Sequence, residues 1–458
     1  MRFLIGGRMN KLEKDLTSGN VVKQLWLFAL PFMISNIVQS FYNIADMFIV
    51  GKFGGAVGIS AVNIGGQVTF LITNIVIGLS VGGTVVIGQY IGSKDRKAVT
   101  ESISTMIVSL MVAAVIITIS MLILTDPILK MIKTPQEAYV QAKEYLQITV
   151  AGTVFIFGYN ALSAIMRGLG DSKRPLYFVI VACVINIVLD LVFVGYLKMG
   201  AKGAAFSTII SQAASMILCI MYLQNTDFMF DFKLKSFKFY KDKFNMLMKI
   251  GIPTSIQNVA VNVSFLVMTG LVNGFGVNAS AALGVISKYN SFAILPAIAV
   301  GSSVSAMVAQ NMGAGKVERA KHTMYVGLVL ALGITIPIFA LTQLYPVQII
   351  AVFDDNPQMI AAGVEYLRTL SLDYVIVPFT FCMNGLITGA GHSMFSSING
   401  VISSLLLRVP LAYILGVHLG YGLSGIGFAA PLATIGACVL CILYYISGKW
   451  KISTVIKK

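Results

Sequence analysis

The segment LWLFALPFMISNIVQSFYNIADMFI (residues 25–49) is a continuous apolar stretch that contains a single charged side chain, Asp46. A helix of about twenty apolar residues is long enough to span the hydrocarbon core of a bilayer. The whole chain shares this character, because 57% of its 458 residues are hydrophobic and only 11% are charged. Soluble proteins carry about a quarter charged residues. The composition therefore excludes a soluble globular protein and predicts a polytopic membrane protein.

The other apolar stretches are equally long and continuous. Backbone groups in lipid must be satisfied within a helix or in a closed barrel. Barrel strands would appear as alternating segments of about ten residues, so we predict an all-α integral membrane fold. Twelve transmembrane helices are predicted at residues 25–49, 58–84, 99–123, 141–165, 175–196, 203–223, 247–272, 280–306, 322–344, 362–386, 397–418 and 425–447.

The positive charges predict the orientation of these spans. Of the 33 Lys and Arg residues, 24 lie in the segments that face the cytoplasm if both termini are cytoplasmic, as the positive-inside rule requires. We therefore expect a multi-pass protein of the plasma membrane with both ends inside. The predicted parts are a cytoplasmic N-terminus (1–24), an N-terminal six-helix bundle (25–224), a cytoplasmic linker (225–246), a C-terminal six-helix bundle (247–447) and a cytoplasmic tail (448–458).

The linker contains FKLKSFKFYKDKF (residues 232–244), in which Lys alternates with Phe and Tyr. Such a composition also occurs in RNA-binding segments. In a membrane protein it is better interpreted as a connector that rests on anionic lipid headgroups. We therefore expect membrane lipids, and not nucleic acid, as its partner.

Several common features are missing from the sequence. Residues 1–20 contain no apolar region typical of a cleaved signal peptide, although a start at Met9 would make residues 1–8 a dispensable leader. Cys438 and Cys441 form a CxxC, but it lies in the apolar segment ACVLCILYY, so we predict free thiols and neither a disulfide nor a structural metal. No Walker A motif and no nucleophile–base constellation is present. We therefore expect neither ATP-driven transport nor an enzyme.

The linker separates two halves of similar sequence. When the second half is aligned on the first so that Pro253 matches Pro31, Asn258 also matches Asn36. Moving the alignment by one residue further along the chain matches Gln310 to Gln89. Each half has six predicted spans, an even number, so both halves have the same orientation. We predict two bundles related by a pseudo-twofold axis along the membrane normal. This duplicated architecture is typical of secondary transporters.

Five ionisable residues lie well within predicted spans: Asp46, Asp190, Lys288, Asp373 and Arg408. A charge at the centre of a span costs about 2.5–3.5 kcal/mol, so such residues usually face a bundle interior or a water-filled cavity. In the C-terminal half, the simplest interpretation is neutralisation of Asp373 by Lys288 or Arg408. Gating or sensing by Lys288 is the alternative.

Asp46 and Asp190 form a predicted pair. Each lies five residues before a glycine near the outer end of an inside-to-outside span, so both carboxylates have a similar height in the membrane. Asn186 lies on the same helix face as Asp190, and Thr208 offers a hydroxyl. These oxygen ligands suit Na⁺ or a shuttled proton and not zinc. We predict a cation-coupling site here, although a solvated helix end for Asp46 and a structural partner for Asp190 are the alternatives.

The chain resembles the multidrug and toxic compound extrusion (MATE) family over nearly its whole length. The resemblance lies in LTSGNVVKQLWLFALPF, YNIADMFIVGKFG, GQYIG, MRGLGDSKRP, NIVLDLVFVG and GAKGAAFSTIISQ. It implies a V-shaped cavity between two bundles and export of amphipathic, often cationic drugs in exchange for Na⁺ or H⁺, without a cofactor. The family's N-bundle ion ligands match Asp46, Asn186, Asp190 and Thr208, and its helix-bending proline matches Pro31. We expect a monomer.

One branch of that family uses acids in spans 7 and 10. Span 7 here contains no acid, and Asp373 lies early in span 10. The alignment that matches Pro253 to Pro31 also places Met268 opposite Asp46, so we expect ion coupling in the N-terminal bundle alone. The alternative function is a flippase for a lipid-linked precursor, for which only Lys288 and Arg408 would supply cationic groups within the spans.

Overall fold

The computed structural model describes residues 13–226, 228–353 and 355–456, and the alternative start at Met9 lies outside these ranges. Every regular element in them is helical. The α-helices are α1 (Val21–Gly92), α2 (Arg96–Met131), α3 (Gln136–Ala151), α4 (Thr153–Gly168), α5 (Lys173–Asp190), α6 (Gly200–Gln224), α7 (Lys241–Asn273), α8 (Val277–Gly313), α9 (Val317–Leu344), α10 (Pro346–Ala351), α11 (Pro357–Leu370), α12 (Asp373–Gly389), α13 (Ser393–Val401), α14 (Val409–Tyr413) and α15 (Gly422–Ile446). Three π-helical turns extend them, at Leu191–Tyr196, Ile402–Arg408 and Ile414–His418.

These helices make up the twelve predicted spans, although several spans are joined or bent. Helix α1 has 72 residues and contains two spans, because its backbone reverses at Gly55 (φ 64°, ψ −167°). Helices α3 and α4 form one span with a bend of 46°, and α11 and α12 form another with a bend of 42°. Residues 393–418 form a further span in which π-helical turns flank α14. The predicted all-α membrane fold is confirmed.

The sequence repeat is also a repeat of backbone conformation. Gly55 and Gly276 both have positive φ, and they occupy corresponding positions of the two halves. The π-helical turn at Leu191–Tyr196 is repeated at Ile414–His418, because Leu197 N–H donates to Val192 C=O and Leu419 N–H donates to Ile414 C=O, both at 2.8 Å. Further corresponding pairs with positive φ are Lys94 and Gly315, Gly170 and Gly391, Lys198 and Gly420, and Gly200 and Gly422. The second half therefore copies the turns of the first.

The chain forms two compact units that do not follow the predicted bundle boundary. Unit 1 comprises Met1–Asp15 and Ile34–Met248, and unit 2 comprises Leu16–Met33 and Lys249–Lys458. The sequence predicted that span 1 belongs to the N-terminal bundle from residue 25 onward. Instead, α1 changes unit between Met33 and Ile34, shortly after Pro31.

Packing explains why the first part of α1 belongs to unit 2. Leu25 and Phe28 are buried in the same apolar cluster as Val304 and Met307 of α8. The segment before the helix is held as well, because Arg319 Nη1 donates to the Gly19 carbonyl at 2.8 Å. This assignment depends on contacts between residues that lie in opposite halves of the chain, which no local sequence pattern records.

The linker is held against unit 1 by its backbone. Lys238 N–H donates to Ser104 Oγ at 2.6 Å, and Phe230 packs edge-to-face on Phe237 with 5.2 Å between ring centroids. Leu234 remains 91% exposed beside the exposed Lys233. The linker therefore presents apolar and cationic side chains outward while its aromatic residues pack against one another.

Within unit 2, α8 and α12 approach closely through glycines. A Cβ atom on Gly301 would lie 2.9 Å from the Phe381 carbonyl oxygen, and one on Gly385 would lie 2.5 Å from the Gly301 carbonyl oxygen. Both obstacles are backbone atoms, so no side-chain rotation relieves them. On the same α8, Gly284 is exposed and has no atom within 4 Å of an added Cβ.

This difference predicts opposite effects of one chemical change at two positions of α8. Gly284→Ala should stabilise unit 2 by up to about 1 kcal/mol, since alanine is the better helix former. Gly301→Ala should lose about 1–3 kcal/mol, because overpacking forces α8 and α12 apart. Thermal unfolding of the purified variants in detergent measures both. A Gly301→Ala protein as stable as Gly284→Ala would contradict the close helix contact.

Candidate functional site: a carboxyl pair in unit 1

The structure brings Asp46 and Asp190 together in unit 1. Asp46 lies on α1 with 9% of its surface exposed, and Asp190 is the last residue of α5 with 0% exposed. Their carboxyl groups lie within hydrogen-bonding reach of each other. Two full negative charges about 4 Å apart repel each other by about 4 kcal/mol at an effective dielectric constant of 20. A shared proton or a bound cation between them would remove this repulsion.

Asn186 orients the Asp190 carboxyl group. With the Asn186 amide placed in the orientation that satisfies both neighbours, its Nδ2 donates to Asp190 Oδ2 at 2.8 Å and its Oδ1 accepts the backbone N–H of Thr208 at 3.2 Å. The i, i+4 spacing on α5 accounts for the first bond. The second bond fixes α5 against α6, so the position of the carboxylate is coupled to the packing of two helices.

Thr208 takes a different role from the one its hydroxyl suggested. Its Oγ1 is hydrogen-bonded to the Tyr42 hydroxyl at 3.2 Å, and only its backbone N–H reaches Asn186. Tyr42 lies one turn before Asp46 on the same face of α1 and was not among the predicted residues. The spacing of four residues between Tyr42 and Asp46 was the signal that would have found it.

Two more polar side chains complete the surroundings of the pair. The buried Ser207 hydroxyl lies within hydrogen-bonding reach of Asp190 and also donates to the Gly203 carbonyl at 3.0 Å. The buried Tyr145 side chain lies near enough to both carboxyl groups to interact with them electrostatically. None of these groups carries a charge, so none of them neutralises the pair.

The pair retains unused acceptor capacity. Asp46 Oδ1 and Asp190 Oδ1 are buried and have no hydrogen-bond partner. An unsatisfied buried carboxylate oxygen is costly, and a proton or a Na⁺ ion would satisfy both atoms. The donor set consists of oxygen atoms alone, and no cluster of three His, Cys, Asp or Glu side chains occurs in the described ranges.

The π-helical turn directly after Asp190 positions the end of α5. Leu191–Tyr196 widens the helix by one residue per turn, and it closes with the 2.8 Å bond from Leu197 N–H to Val192 C=O. Such insertions recur at functional sites. Here the widened turn follows immediately after the carboxylate that pairs with Asp46.

The predicted residues of the C-terminal half are arranged differently. Lys288 is exposed. Asp373 is buried, and the Arg408 guanidinium lies 5.5 Å from the ring centroid of Phe265. Among the described residues, neither Lys288 nor Arg408 has a nitrogen within 4.0 Å of an Asp373 carboxylate oxygen. The direct ion pair expected for Asp373 is therefore absent from this structure, although Arg408 lines the same cavity as Asp373.

Comparison with known proteins places these features in a family. The MatE sequence profile matches residues 31–192 and again residues 253–414, so the two matches begin at Pro31 and Pro253, which the sequence repeat aligns. The probable multidrug resistance protein YpnP of Bacillus subtilis (strain 168) is 29% identical over 95% of this chain and 97% of its own length. The probable multidrug resistance protein NorM of Thermotoga maritima is 26% identical over 94% of this chain and 93% of its own. The solved structure of a MOP superfamily transporter from Pyrococcus furiosus, 25% identical, superposes with a TM-score of 0.88 over 97% of this chain and 98% of its own.

The geometry of the pair predicts that cations stabilise the protein through both acids together. At constant ionic strength and at a pH high enough to ionise both acids, replacing choline with Na⁺, or acidifying the Na⁺-free buffer, should raise the unfolding temperature because either cation removes the repulsion. In Asp46→Asn or Asp190→Asn this response should disappear, since an amide and a carboxyl group hydrogen-bond without a cation.

The matched control is Asp126→Asn, which removes a half-exposed acid of unit 1 that pairs with Lys143 at 2.8 Å. It should shift the unfolding temperature by a small constant amount, since exposed ion pairs contribute about 0–1 kcal/mol, and leave the cation response intact. A full Na⁺ or proton response in both pair variants would contradict a site formed by the pair.

Proposed function

Since this chain belongs to the MatE family, we propose that it is a secondary active antiporter that exports amphipathic, cationic organic compounds in exchange for Na⁺ or H⁺. The observation that carries the proposal is the contact between the buried carboxyl groups of Asp46 and Asp190. A carboxyl pair that is stabilised by one positive charge can bind a cation on one side of the membrane and release it on the other. The difference in Na⁺ or H⁺ concentration across the membrane then drives the exchange. The relatives named as multidrug resistance proteins support a drug substrate.

In this mechanism Asp46 and Asp190 bind the coupling cation, and Asn186 holds Asp190 in place. Thr208 contributes through its backbone N–H and through its hydroxyl contact with Tyr42. Loading the pair removes the repulsion between α1 and α5, and unloading restores it. The energy difference of about 4 kcal/mol at an effective dielectric constant of 20 is large enough to shift a two-state equilibrium about a hundredfold or more.

The proposed location is the plasma membrane, with both termini in the cytoplasm and the chain acting as a monomer. The exposed basic side chains of the linker support the orientation, because anionic lipids of the inner leaflet attract such segments. Lys288, Asp373 and Arg408 take no part in the proposed cation coupling.

Export is tested by ethidium retention in a bacterial strain that lacks its own efflux pumps. Cells that express the wild-type chain should retain less ethidium than cells with empty vector. Asp46→Asn and Asp190→Asn should each retain as much as the vector control, while Asp126→Asn should export like wild type. Equal export by both pair variants and wild type, at equal membrane expression, would overturn the mechanism.

Reconstitution in liposomes identifies the ion and tests the alternative function. With an imposed Na⁺ gradient or an imposed pH gradient, only the coupling ion should drive ethidium against its own gradient. A flippase for a lipid-linked precursor would instead move a pyrophosphate-linked lipid between leaflets without a response of ethidium to either gradient. That outcome would replace the antiporter proposal.

Pro31 is the proposed bending point of α1. A proline within a helix removes one backbone hydrogen bond and favours a kink, and Pro31 lies shortly before α1 passes from unit 2 to unit 1. Pro31→Ala should slow ethidium export severalfold because it stiffens this connection. The cation response of the unfolding temperature should remain, since the pair is untouched. Export at the wild-type rate would exclude bending at Pro31 from the mechanism.

A further inference from the structure

Unit 2 contains a cavity that the proposed cation coupling does not use. Its empty volume is about 540 Å³ including the open side. Charged and polar groups from three helical segments meet there, namely Asp373 on α12, Arg408 in the π-helical turn before α14, and Asn290 on α8. Apolar side chains, among them Phe265 and Met268, form the rest of the wall.

This cavity stands at the position in unit 2 that corresponds to the carboxyl pair in unit 1. In the alignment that matches Pro253 to Pro31, Met268 replaces Asp46, Arg408 replaces Asn186, Ala412 replaces Asp190 and Ala430 replaces Thr208. In the neighbouring alignment that matches Gln310 to Gln89, Tyr366 matches Tyr145. Met268, Arg408, Ala430 and Tyr366 all line the cavity. The corresponding location in unit 2 therefore contains an arginine where unit 1 has its pair of acids.

Three buried polar atoms in this cavity have no hydrogen-bond partner. They are Arg408 Nε, Asp373 Oδ1 and Asn290 Oδ1. The first is a donor that carries positive charge, and the other two are acceptors. Leaving such groups unsatisfied is costly, and Asp373 and Arg408 do not satisfy each other because no nitrogen–oxygen distance between them is within 4.0 Å.

We propose that this cavity of unit 2 binds a small amphipathic zwitterion. The carboxylate of the ligand accepts hydrogen bonds from the Arg408 guanidinium, which is held over the Phe265 ring at 5.5 Å. The ammonium group of the ligand donates to Asp373 Oδ1 and Asn290 Oδ1. The apolar body of the ligand packs against the wall that Met268 and Phe265 form.

The charges of the site select a zwitterion over an ion of one sign. A simple cation would satisfy Asp373 and Asn290 but would leave the Arg408 donor buried and repelled. A simple anion would satisfy Arg408 but would lie beside the Asp373 carboxylate. Only a ligand with both groups satisfies all three atoms that lack a partner, and hydrogen bonds to charged groups are stronger than those between neutral groups.

Three phenyl compounds that differ only in charge test the proposal on the purified full chain. L-Phenylalanine carries both groups, phenethylamine carries only the ammonium group, and 3-phenylpropionate carries only the carboxylate. Equilibrium binding in detergent should show saturable binding of phenylalanine, about tenfold tighter or more than that of either single-charge compound. Absent phenylalanine binding, or equal affinity for all three compounds, would overturn the proposal.

Two variants separate the two ends of the ligand. Arg408→Leu should weaken phenylalanine and 3-phenylpropionate about tenfold and leave phenethylamine unchanged. Asp373→Asn should weaken phenylalanine and phenethylamine and leave 3-phenylpropionate unchanged. The control Arg368→Leu removes an exposed arginine of the same unit that does not line the cavity, and it should bind phenylalanine like wild type. Equal loss for all three compounds in both cavity variants would overturn the assignment of the two ends.

Arg408→Lys covers the case in which Arg408→Leu fails to fold, as judged by size-exclusion chromatography. It keeps the charge but loses the planar fork of donors, so phenylalanine should bind with intermediate affinity. Wild-type affinity in Arg408→Lys together with wild-type affinity in Asp373→Asn would overturn the site. Asp46→Asn should bind phenylalanine with wild-type affinity. The zwitterion site and the proposed cation coupling can therefore be tested independently of each other.

Discussion

The rest of unit 1 depends on one electrostatic constraint, which is that two buried carboxyl groups in contact repel each other when both are ionised. Burial makes the contact costly, and the Asn186 amide gives Asp190 a fixed orientation. The same burial makes the contact sensitive to the loss of a positive charge, because the repulsion between two carboxylates is only weakly screened in a low dielectric. A pair exposed to water would have a smaller desolvation cost. Its protonation or cation binding would then have little effect on the packing of α1, α5 and α6.

Duplication gives this chain two similar backbones with different chemistry. Several positive-φ turns and one π-helical turn recur at corresponding positions of the two halves, so much of the backbone of the first half is repeated in the second. The side chains at the corresponding cavity positions differ, with Asp46 opposite Met268 and Asn186 opposite Arg408. A change of backbone geometry within the membrane is energetically unfavourable, because it leaves backbone N–H and C=O groups without hydrogen-bond partners. The two units therefore share backbone turns but carry different side chains at the corresponding cavity positions.

Much of this arrangement could be predicted from local sequence signals. Long apolar stretches predicted the helices, and equal depth in two spans of equal direction predicted that Asp46 and Asp190 meet. The role of Asn186 followed from its spacing to Asp190. Contacts between distant segments could not be predicted, since the packing of Leu25 on α8 depends on the shapes of two surfaces. For the same reason the exposure of Lys288 and the partner of the Thr208 hydroxyl were known only from the structure.

The central claim is that Asp46 and Asp190 hold one proton between them when no other cation is bound. Infrared difference spectroscopy observes that proton directly, because a protonated carboxyl group has a carbonyl stretch distinct from that of a carboxylate. At neutral pH without Na⁺, the wild type should show such a band that is missing from both Asp46→Asn and Asp190→Asn. The band should also weaken when Na⁺ is the ion that replaces the proton. Identical carbonyl regions in the wild type and both variants would contradict the account.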